Sequence, residues 1–282
     1  MRETGKGCCE TTRIANCAPS TPFTRDDAER VEALARAEFP ALALAFHEQC
    51  FASAGHFAGP DPARLAAFVE CANDPAFDAV WFVRGGYGAN RIAMDALPLL
   101  EAAAYDKQYL GYSDGGILLA ALYRAGIGRS VHAPMPVDLR RENGDLAVRR
   151  TLSWLQGERA GLEPSLHDGT PAVAFNLMTL AMLCGTPLLP DLAGHVVMVE
   201  EVAEYHYAVD RLLFHVTSCL AMVGIAGLRL GRVSQVPEND RPFGCDVEDM
   251  VRHWCARTGI AYLGPADIGH DIDNKIVPFG LA

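Results

Sequence analysis

Short apolar segments alternate with amphipathic ones through the first half of the chain, and this alternation constrains the fold more than any other feature. Three segments rich in β-branched, aromatic or other apolar residues are predicted to be buried strands: 41–46, 79–83 and 108–112. Helices are predicted at 24–37, 61–72, 90–103 and 117–125. Strands that alternate with helices in this way predict a parallel sheet, and therefore an α/β fold.

A second unit is predicted beyond a charged stretch in the middle of the chain. Residues 136–165 carry many charges and are predicted to form a linker with one helix. Further strands are predicted at 195–199, 225–230 and 261–263, and further helices at 207–220 and 247–258. We therefore expect an N-terminal α/β domain at 1–140, a linker with a helix at 141–169 and a smaller C-terminal α/β domain at 170–282.

Net charge, apolar runs and cysteine spacing argue against several classes of protein. The 282 residues carry a formal net charge of −11, which disfavours binding to the phosphate backbone of nucleic acids. No apolar run reaches the roughly 18 residues that a membrane-spanning helix needs, and residues 1–17 lack the apolar stretch of a signal peptide. The nine cysteines are odd in number and irregularly spaced, which argues against a disulfide framework. We expect a cytoplasmic protein with neither nucleic acid nor a membrane as partner.

The sequence Gly111-Tyr112-Ser113-Asp114-Gly115 matches the pattern G-x-S-x-G between a predicted strand and a predicted helix. In that context the pattern is typical of a nucleophile elbow. Glycines on both sides relieve crowding in a sharp turn, and the start of the following helix stabilises negative charge beside the serine. A tight turn with a capping serine has the same pattern, so both interpretations stay open at this point.

A glycine cluster, Arg84-Gly85-Gly86-Tyr87-Gly88, directly follows the predicted strand at 79–83. It matches neither the dinucleotide-binding nor the P-loop fingerprint. Glycines let backbone N–H groups approach a ligand closely. Because the carboxyl ends of parallel strands share one edge of the sheet, we expect this cluster beside Ser113, where it could supply an oxyanion-hole N–H.

A serine nucleophile needs a base, and His270 is the best candidate among nine histidines because it follows a glycine in a predicted loop. An acid that orients the imidazole could be Glu200, Glu201 or Glu204. Glu200 follows the apolar run 196–199, and a carboxylate at a strand end is well placed for this role. A solvated acidic loop is the alternative interpretation of these glutamates.

In combination these segments resemble the LD-carboxypeptidases, serine peptidases of the muramoyltetrapeptide carboxypeptidase and microcin-immunity type. The similarity runs in order through most of the chain. It rests on Ala18-Pro19-Ser20, on 84–88 with Arg91, on Gly111-Tyr112-Ser113-Asp114, on 200–204 with Tyr207 and 209–211, and on Gly269-His270 with Asn274 and 278–280.

The resemblance implies two domains with the active site at their interface, and a triad of Ser113, Glu200 and His270. We expect the backbone N–H groups of Asp114 and Gly86 to bind the oxyanion. The residues expected to contact substrate are Arg84, Gly85, Tyr87 and Asn176. The mechanism needs no metal or organic cofactor, and members of the family are commonly homodimers.

The function that the resemblance implies is hydrolysis of the bond between an L-centre and the terminal D-alanine of cytoplasmic murein tetrapeptide. Hydrolysis of an acyl-sulfamoyl or other amide, and non-catalytic muropeptide binding, are the alternatives. Two departures from the family pattern, Ala133 and Phe175 in place of glycines, bear on specificity if they line the cleft. The carboxylates of a muropeptide also predict a local basic pocket, for which Arg84 is a candidate.

Overall fold

The computed structural model describes residues 11–166 and 169–281, so Cys8, Cys9 and the predicted N-terminal features before residue 11 lie outside the described residues. The strands are β1 (Thr12–Cys17), β2 (Leu42–Phe46), β3 (Ala79–Phe82), β4 (Gln108–Gly111), β5 (Arg129–His132), β6 (Ala172–Asn176), β7 (Val196–Val202), β8 (Gly227–Ser234), β9 (Tyr262–Pro265) and β10 (Val277–Pro278). The helices are α1 (Arg25–Glu38), α2 (Asp61–Asn73), α3 (Asn90–Ala96), α4 (Gly116–Ala125), α5 (Asp145–Leu155), α6 (Leu177–Leu183), α7 (His206–Ser218) and α8 (Val247–Thr258).

The first sheet has six strands in the order β10-β5-β4-β3-β1-β2. The five strands β1 to β5 are parallel, and β10 pairs with β5 in the antiparallel direction. Helix α4, whose first seven residues are all buried, connects β4 to β5 and packs against this sheet. Since β4, β3 and β1 are neighbours, the loops that follow them meet at one edge.

The second sheet is fully parallel, with strands in the order β6-β7-β8-β9. Helices α7 and α8 follow β7 and β8 and pack against each other. Two parallel-dominated sheets with helical crossovers confirm the predicted α/β fold class. Within residues 11–166 and 169–281, no helix is long and apolar enough to cross a membrane.

Local chemistry explains where several helices begin and end. Thr24 caps α1 by accepting the N–H of Asp27 at 3.2 Å, and Gly126 ends α4 in the left-handed conformation. The helix predicted at 90–103 is wrong beyond Ala96: 3-10 turns replace it because Pro98 cannot continue an α-helical ladder. The short strands β5 and β6 were not predicted from the sequence.

The C-terminal segment crosses back from the second sheet to the first. Phe279 N–H donates to Ser130 O in β5, and Gly280 N–H donates to Ala172 O at the start of β6, each at 2.9 Å. The ring of Phe279 lies 5.7 Å from that of Tyr123 on α4 and 5.2 Å from that of Phe175 on β6. One aromatic side chain therefore joins the cores of both sheets.

Candidate active site

Ser113 lies in the sharp turn between β4 and α4, in the left-handed backbone region with φ of 57°. Few non-glycine residues adopt this conformation, and those that do are concentrated at functional sites. The two flanking glycines make the turn possible. A Cβ at Gly111 or Gly115 would lie only 2.8 or 3.1 Å from the Phe82 ring of the neighbouring strand β3.

The glycine cluster after β3 lies directly against the serine. A Cβ on Gly85 would lie 3.1 Å from Ser113 Oγ, so only a glycine leaves the hydroxyl unobstructed. Gly86 has φ of 109°, a conformation that L side chains rarely adopt. The structure thus brings Ser113 and Gly85 together as the sequence predicted.

Glu200 and His270 form a buried pair at the facing edge of the second sheet. His270 Nδ1–H donates to Glu200 Oε2 at 2.6 Å, with side-chain exposures of 10% and 0%. The His270 ring lies 4.8 Å, centroid to centroid, from the ring of Tyr112, the residue that precedes Ser113. In the described residues no hydrogen bond yet joins Ser113 Oγ to His270, which is common before substrate binds.

The electrostatics of this pair favour a basic imidazole. Burial disfavours the charged form of His270, but the charge of Glu200 and its hydrogen bond outweigh burial and raise the pKa of His270 above its ordinary value. The hydrogen bond to Nδ1 leaves Nε2 as the nitrogen that can accept a proton.

The adjacent glutamates have different partners. Glu201 Oε1 accepts Asn176 Nδ2–H at 2.7 Å, and Glu201 Oε2 accepts the N–H of Met178 at 2.9 Å, so this carboxylate holds the start of α6. A register shift between β7 and β8 lies at Glu200, and such bulges re-aim side chains. As a result both glutamates are buried, and only Glu200 contacts the histidine.

Several contacts hold the His270 loop in place. Gly269 N–H donates to Asn274 Oδ1 at 3.2 Å, and the same oxygen accepts His132 Nε2–H from β5 at 2.9 Å. Gly231 on β8 makes room, because a Cβ there would lie 2.9 Å from that of Glu200 and 2.7 Å from Ile268 O. The histidine is therefore positioned by both sheets.

Arg141 is a cation near this site that the sequence analysis did not single out. Its Nε donates to the buried Asp138 at 3.0 Å, and one terminal nitrogen lies 3.5 Å from the Tyr112 hydroxyl. The Arg141 side chain is still 31% exposed. In the sequence it is one of several charges in the predicted linker, so no local signal distinguishes it.

A serine in a strained turn, a histidine whose Nδ1 is held by a buried carboxylate and a glycine loop against the hydroxyl can together perform acyl transfer. Two family models cover most of the chain: the LD-carboxypeptidase N-terminal domain matches residues 14–133 and the LD-carboxypeptidase C-terminal domain matches residues 171–282. The chain belongs to the LD-carboxypeptidase family.

Individual LD-carboxypeptidase relatives agree over nearly the whole chain. The murein tetrapeptide carboxypeptidase of Pseudomonas aeruginosa is 24% identical over 95% of this chain and 91% of its own length. The crystal structure of muramoyltetrapeptide carboxypeptidase from Oxalobacter formigenes has a TM-score of 0.78 at 24% identity, covering 95% of this chain and 93% of that one. The structure of MccF in complex with glutamyl sulfamoyl guanosine has a TM-score of 0.75 at 16% identity, with 97% coverage of both chains.

The remaining predicted substrate contacts are placed as follows. Arg84 is partly buried; one of its nitrogens donates to Pro22 O at 3.0 Å, and burial and the nearby Arg140 lower its pKa. Tyr87 is 48% exposed. Asn176 uses Oδ1 to cap α6 and Nδ2 to bind Glu201, so its hydrogen bonds are structural. Substrate binding by these side chains stays a prediction.

The two departures from the LD-carboxypeptidase pattern lie in the core. Phe175 is 1% exposed, and its ring lies against Phe279 and close to Gly116 at the start of α4. Ala133 is fully buried and donates its N–H to Gly111 O at 3.0 Å. Neither side chain lines the cleft, so their effect is on packing beneath the nucleophile turn.

Proposed function

We propose that this protein is a serine carboxypeptidase that releases the terminal D-alanine from cytoplasmic murein tetrapeptide. The observation that carries the proposal is the buried Glu200–His270 pair beside the strained turn of Ser113. Membership of the LD-carboxypeptidase family supports the reaction class. The name of the Pseudomonas aeruginosa relative supports the choice of substrate.

In the first half-reaction, His270 Nε2 takes the proton of the Ser113 hydroxyl as Oγ attacks the scissile carbonyl carbon. Glu200 accepts the hydrogen bond from His270 Nδ1–H and stabilises the imidazolium. The N–H groups of Gly86 and Asp114 are proposed to stabilise the negative oxygen of the tetrahedral intermediate.

The intermediate then collapses. The C–N bond breaks, His270 gives its proton to the amine of D-alanine, and an ester links the shortened peptide to Ser113. In the second half-reaction His270 deprotonates water, which attacks the ester carbonyl. The C–O bond to Ser113 Oγ then breaks, and His270 returns the proton to Oγ. The products are D-alanine and the tripeptide, and the free serine is regenerated.

A muropeptide carries carboxylates that need positive partners. Arg84 follows β3 beside the glycine cluster, and Arg141 lies beside Tyr112; both are partly exposed. We propose these two guanidinium groups as the cations that attract the free carboxylates, since Arg binds carboxylates in fixed, bidentate geometry.

A homodimer is the proposed assembly. The turn after α7 exposes the apolar side chains of Leu220 by 87% and Val223 by 73%, and a dimer interface there would remove both from water. Light scattering coupled to size-exclusion chromatography measures the mass: twice the 30.4 kDa of one chain supports the dimer, and a single chain contradicts it.

The test of function is D-alanine release from L-Ala-γ-D-Glu-meso-diaminopimelate-D-Ala, followed by mass spectrometry. The matched control is Ser113→Ala, which removes only the hydroxyl. Release that disappears in the variant is the expected result. A folded protein that binds the tetrapeptide without releasing D-alanine contradicts the proposal, and cleavage of an aminoacyl-sulfamoyl nucleoside instead assigns the other amide substrate.

A further inference from the structure

The loop that follows β1 touches both loops that build the proposed site. It contains Ser20 and Thr21, whose exposures are 0% and 6%. Because β1, β3 and β4 are neighbours in the sheet, this loop lies beside the glycine cluster and the nucleophile turn. Each of these two hydroxyls is expected to make a hydrogen bond, since a buried hydroxyl is stable only when hydrogen-bonded.

Thr21 holds the peptide between Gly85 and Gly86. Its Oγ1–H donates to Gly85 O at 2.6 Å. In a trans peptide the C=O and the following N–H point in opposite directions, so this bond turns the Gly86 N–H away from Thr21. Among the hydrogen bonds of the described residues, the Gly86 N–H has no acceptor within the protein.

The Thr21 methyl group adds a second constraint on the same peptide. A Cβ on Gly86 would lie 2.5 Å from Thr21 Cγ2, so threonine and glycine fit each other closely. The methyl group fills space, whereas the hydroxyl fixes the orientation of the peptide. Substitutions can therefore separate packing from hydrogen bonding at this position.

Ser20 holds the nucleophile turn by a hydrogen bond to Asp114. Its Oγ–H donates to Asp114 Oδ2 at 2.5 Å, and the N–H of Ala89 donates to the same oxygen at 2.8 Å. The Asp114 side chain thereby ties the nucleophile turn to the end of the glycine cluster and to the β1 loop. The first N–H groups of the turn, including that of Asp114, have no acceptor in the helix that follows.

We infer that Thr21 is a positioning residue of the oxyanion hole: its hydroxyl holds the Gly85–Gly86 peptide so that the Gly86 N–H faces the developing oxyanion. The inference rests on the proposed hydrolytic function of Ser113. Thr21 touches no reacting atom and acts through the peptide that it orients. A preorganised donor stabilises the transition state only while its direction is fixed.

The experiment compares Thr21→Val, which keeps the shape but lacks the hydroxyl, with Thr21→Ser, which keeps the hydroxyl but lacks the methyl group. For Thr21→Val we expect kcat for D-alanine release to fall about 10- to 100-fold with little change in KM. Thr21→Ser is expected to recover most of that loss. A role in packing alone predicts the reverse order, because serine removes the methyl group and valine does not.

A second readout does not depend on the peptide. The rate at which an alkyl fluorophosphonate labels Ser113 also depends on stabilising a negative oxygen, so Thr21→Val should slow labelling and Thr21→Ser should not. Labelling at equal rates in wild type and Thr21→Val, or equal losses in both variants, overturns the inference. If the two variants change labelling of Ser113 as expected but the wild-type protein releases no D-alanine, the positioning role of Thr21 is supported and the proposed substrate is wrong.

Discussion

Glu200 and Glu201 are adjacent, chemically identical and both buried, yet their surroundings give them different roles. Glu200 accepts the Nδ1 proton of His270, whereas Glu201 accepts hydrogen bonds from Asn176 and the start of α6. Side chains of neighbouring residues in a regular strand point to opposite faces of the sheet. The irregular pairing of β7 with β8 at Glu200 departs from that alternation. The two residues therefore offer a matched pair of tests.

Replacing Glu200 by Gln tests the electrostatics of the base. The proposed mechanism needs neutral His270, and Glu200 raises its pKa, so wild-type kcat/KM should be lost as pH falls through a value above the ordinary histidine pKa of about 6.5. Without the carboxylate charge, burial dominates and lowers the pKa of His270. The acid limb of Glu200→Gln should thus shift to lower pH, with a rate loss of up to about 10⁴. An acid limb that does not move contradicts this assignment.

Replacing Glu201 by Gln tests structure rather than chemistry. The amide NH₂ cannot accept the hydrogen bonds that one carboxylate oxygen accepts, so a buried N–H loses its partner. We expect the free energy of unfolding to fall by about 1–3 kcal/mol in urea titrations, with the acid limb of kcat/KM unchanged. A shift of that limb like the one expected for Glu200→Gln would reverse the two roles.

At this scale the sequence predicts residue types better than their partners. The pattern around Ser113 and the loop position of His270 make both residues candidates, because their glycine neighbours are visible in the sequence, and the family resemblance then selects them. The choice between Glu200 and Glu201 came from family resemblance, since the bulge that separates them leaves no such mark. The sequence does not indicate Thr21 either, because its proposed role depends on a contact with Gly85, 64 positions further along the chain.

Among the elements, the loops after β1, β3 and β4 contact one another, and glycines of the β3 loop lie where it approaches Thr21 and Ser113. A Cβ on Gly85 would lie 3.1 Å from both Cβ and Oγ of Ser113. Its backbone is not in the left-handed region, so alanine adds a contact without conformational strain. A glycine is therefore needed at position 85 because of the contact with Ser113, and not because of the backbone conformation of the loop.

Gly85→Ala should accordingly reduce kcat by about 10- to 100-fold, because the added methyl group displaces the nucleophile or the loop. The melting temperature should change little. Gly126→Ala is the control: it lies at the end of α4 with open space around it and φ of 66°, so it should cost about 1 kcal/mol of stability and leave kcat unchanged. A full rate for Gly85→Ala would mean that the loop can move away freely.

The elements that the sequence predicted well are those with strong local signals. Helix α8 matches its predicted range, and α1 begins at its predicted cap, because both have helical spacing and a capping side chain. Strands β5 and β6 have four and five residues and are buried by tertiary packing, so local patterns do not mark them. The short pairing of β10 with β5 depends on contacts across the whole chain.

For the whole molecule, the aromatic junction at Phe279 is one of the contacts that join the cores of the two sheets. Phe279 is 4% exposed and packs between Tyr123 and Phe175. Phe279→Ala should lower the free energy of unfolding by about 3–5 kcal/mol, as expected for a large ring removed from a core. Leu281→Ala, at a side chain 61% exposed, is the control and should lie within about 0.5 kcal/mol of wild type. Equal stability of the two variants would contradict a shared core.

The position of β10 also sets an order of events during protein synthesis. Residues 276–280 pair with β5 at one side of the sheet that carries the nucleophile turn, yet the ribosome makes them after all the other strands of both sheets. A nascent chain that has been synthesised as far as Ser113 still lacks β10, His270 and Glu200. The proposed hydrolytic activity therefore requires translation of the second half, and a prematurely terminated chain is left with an open sheet edge that favours aggregation.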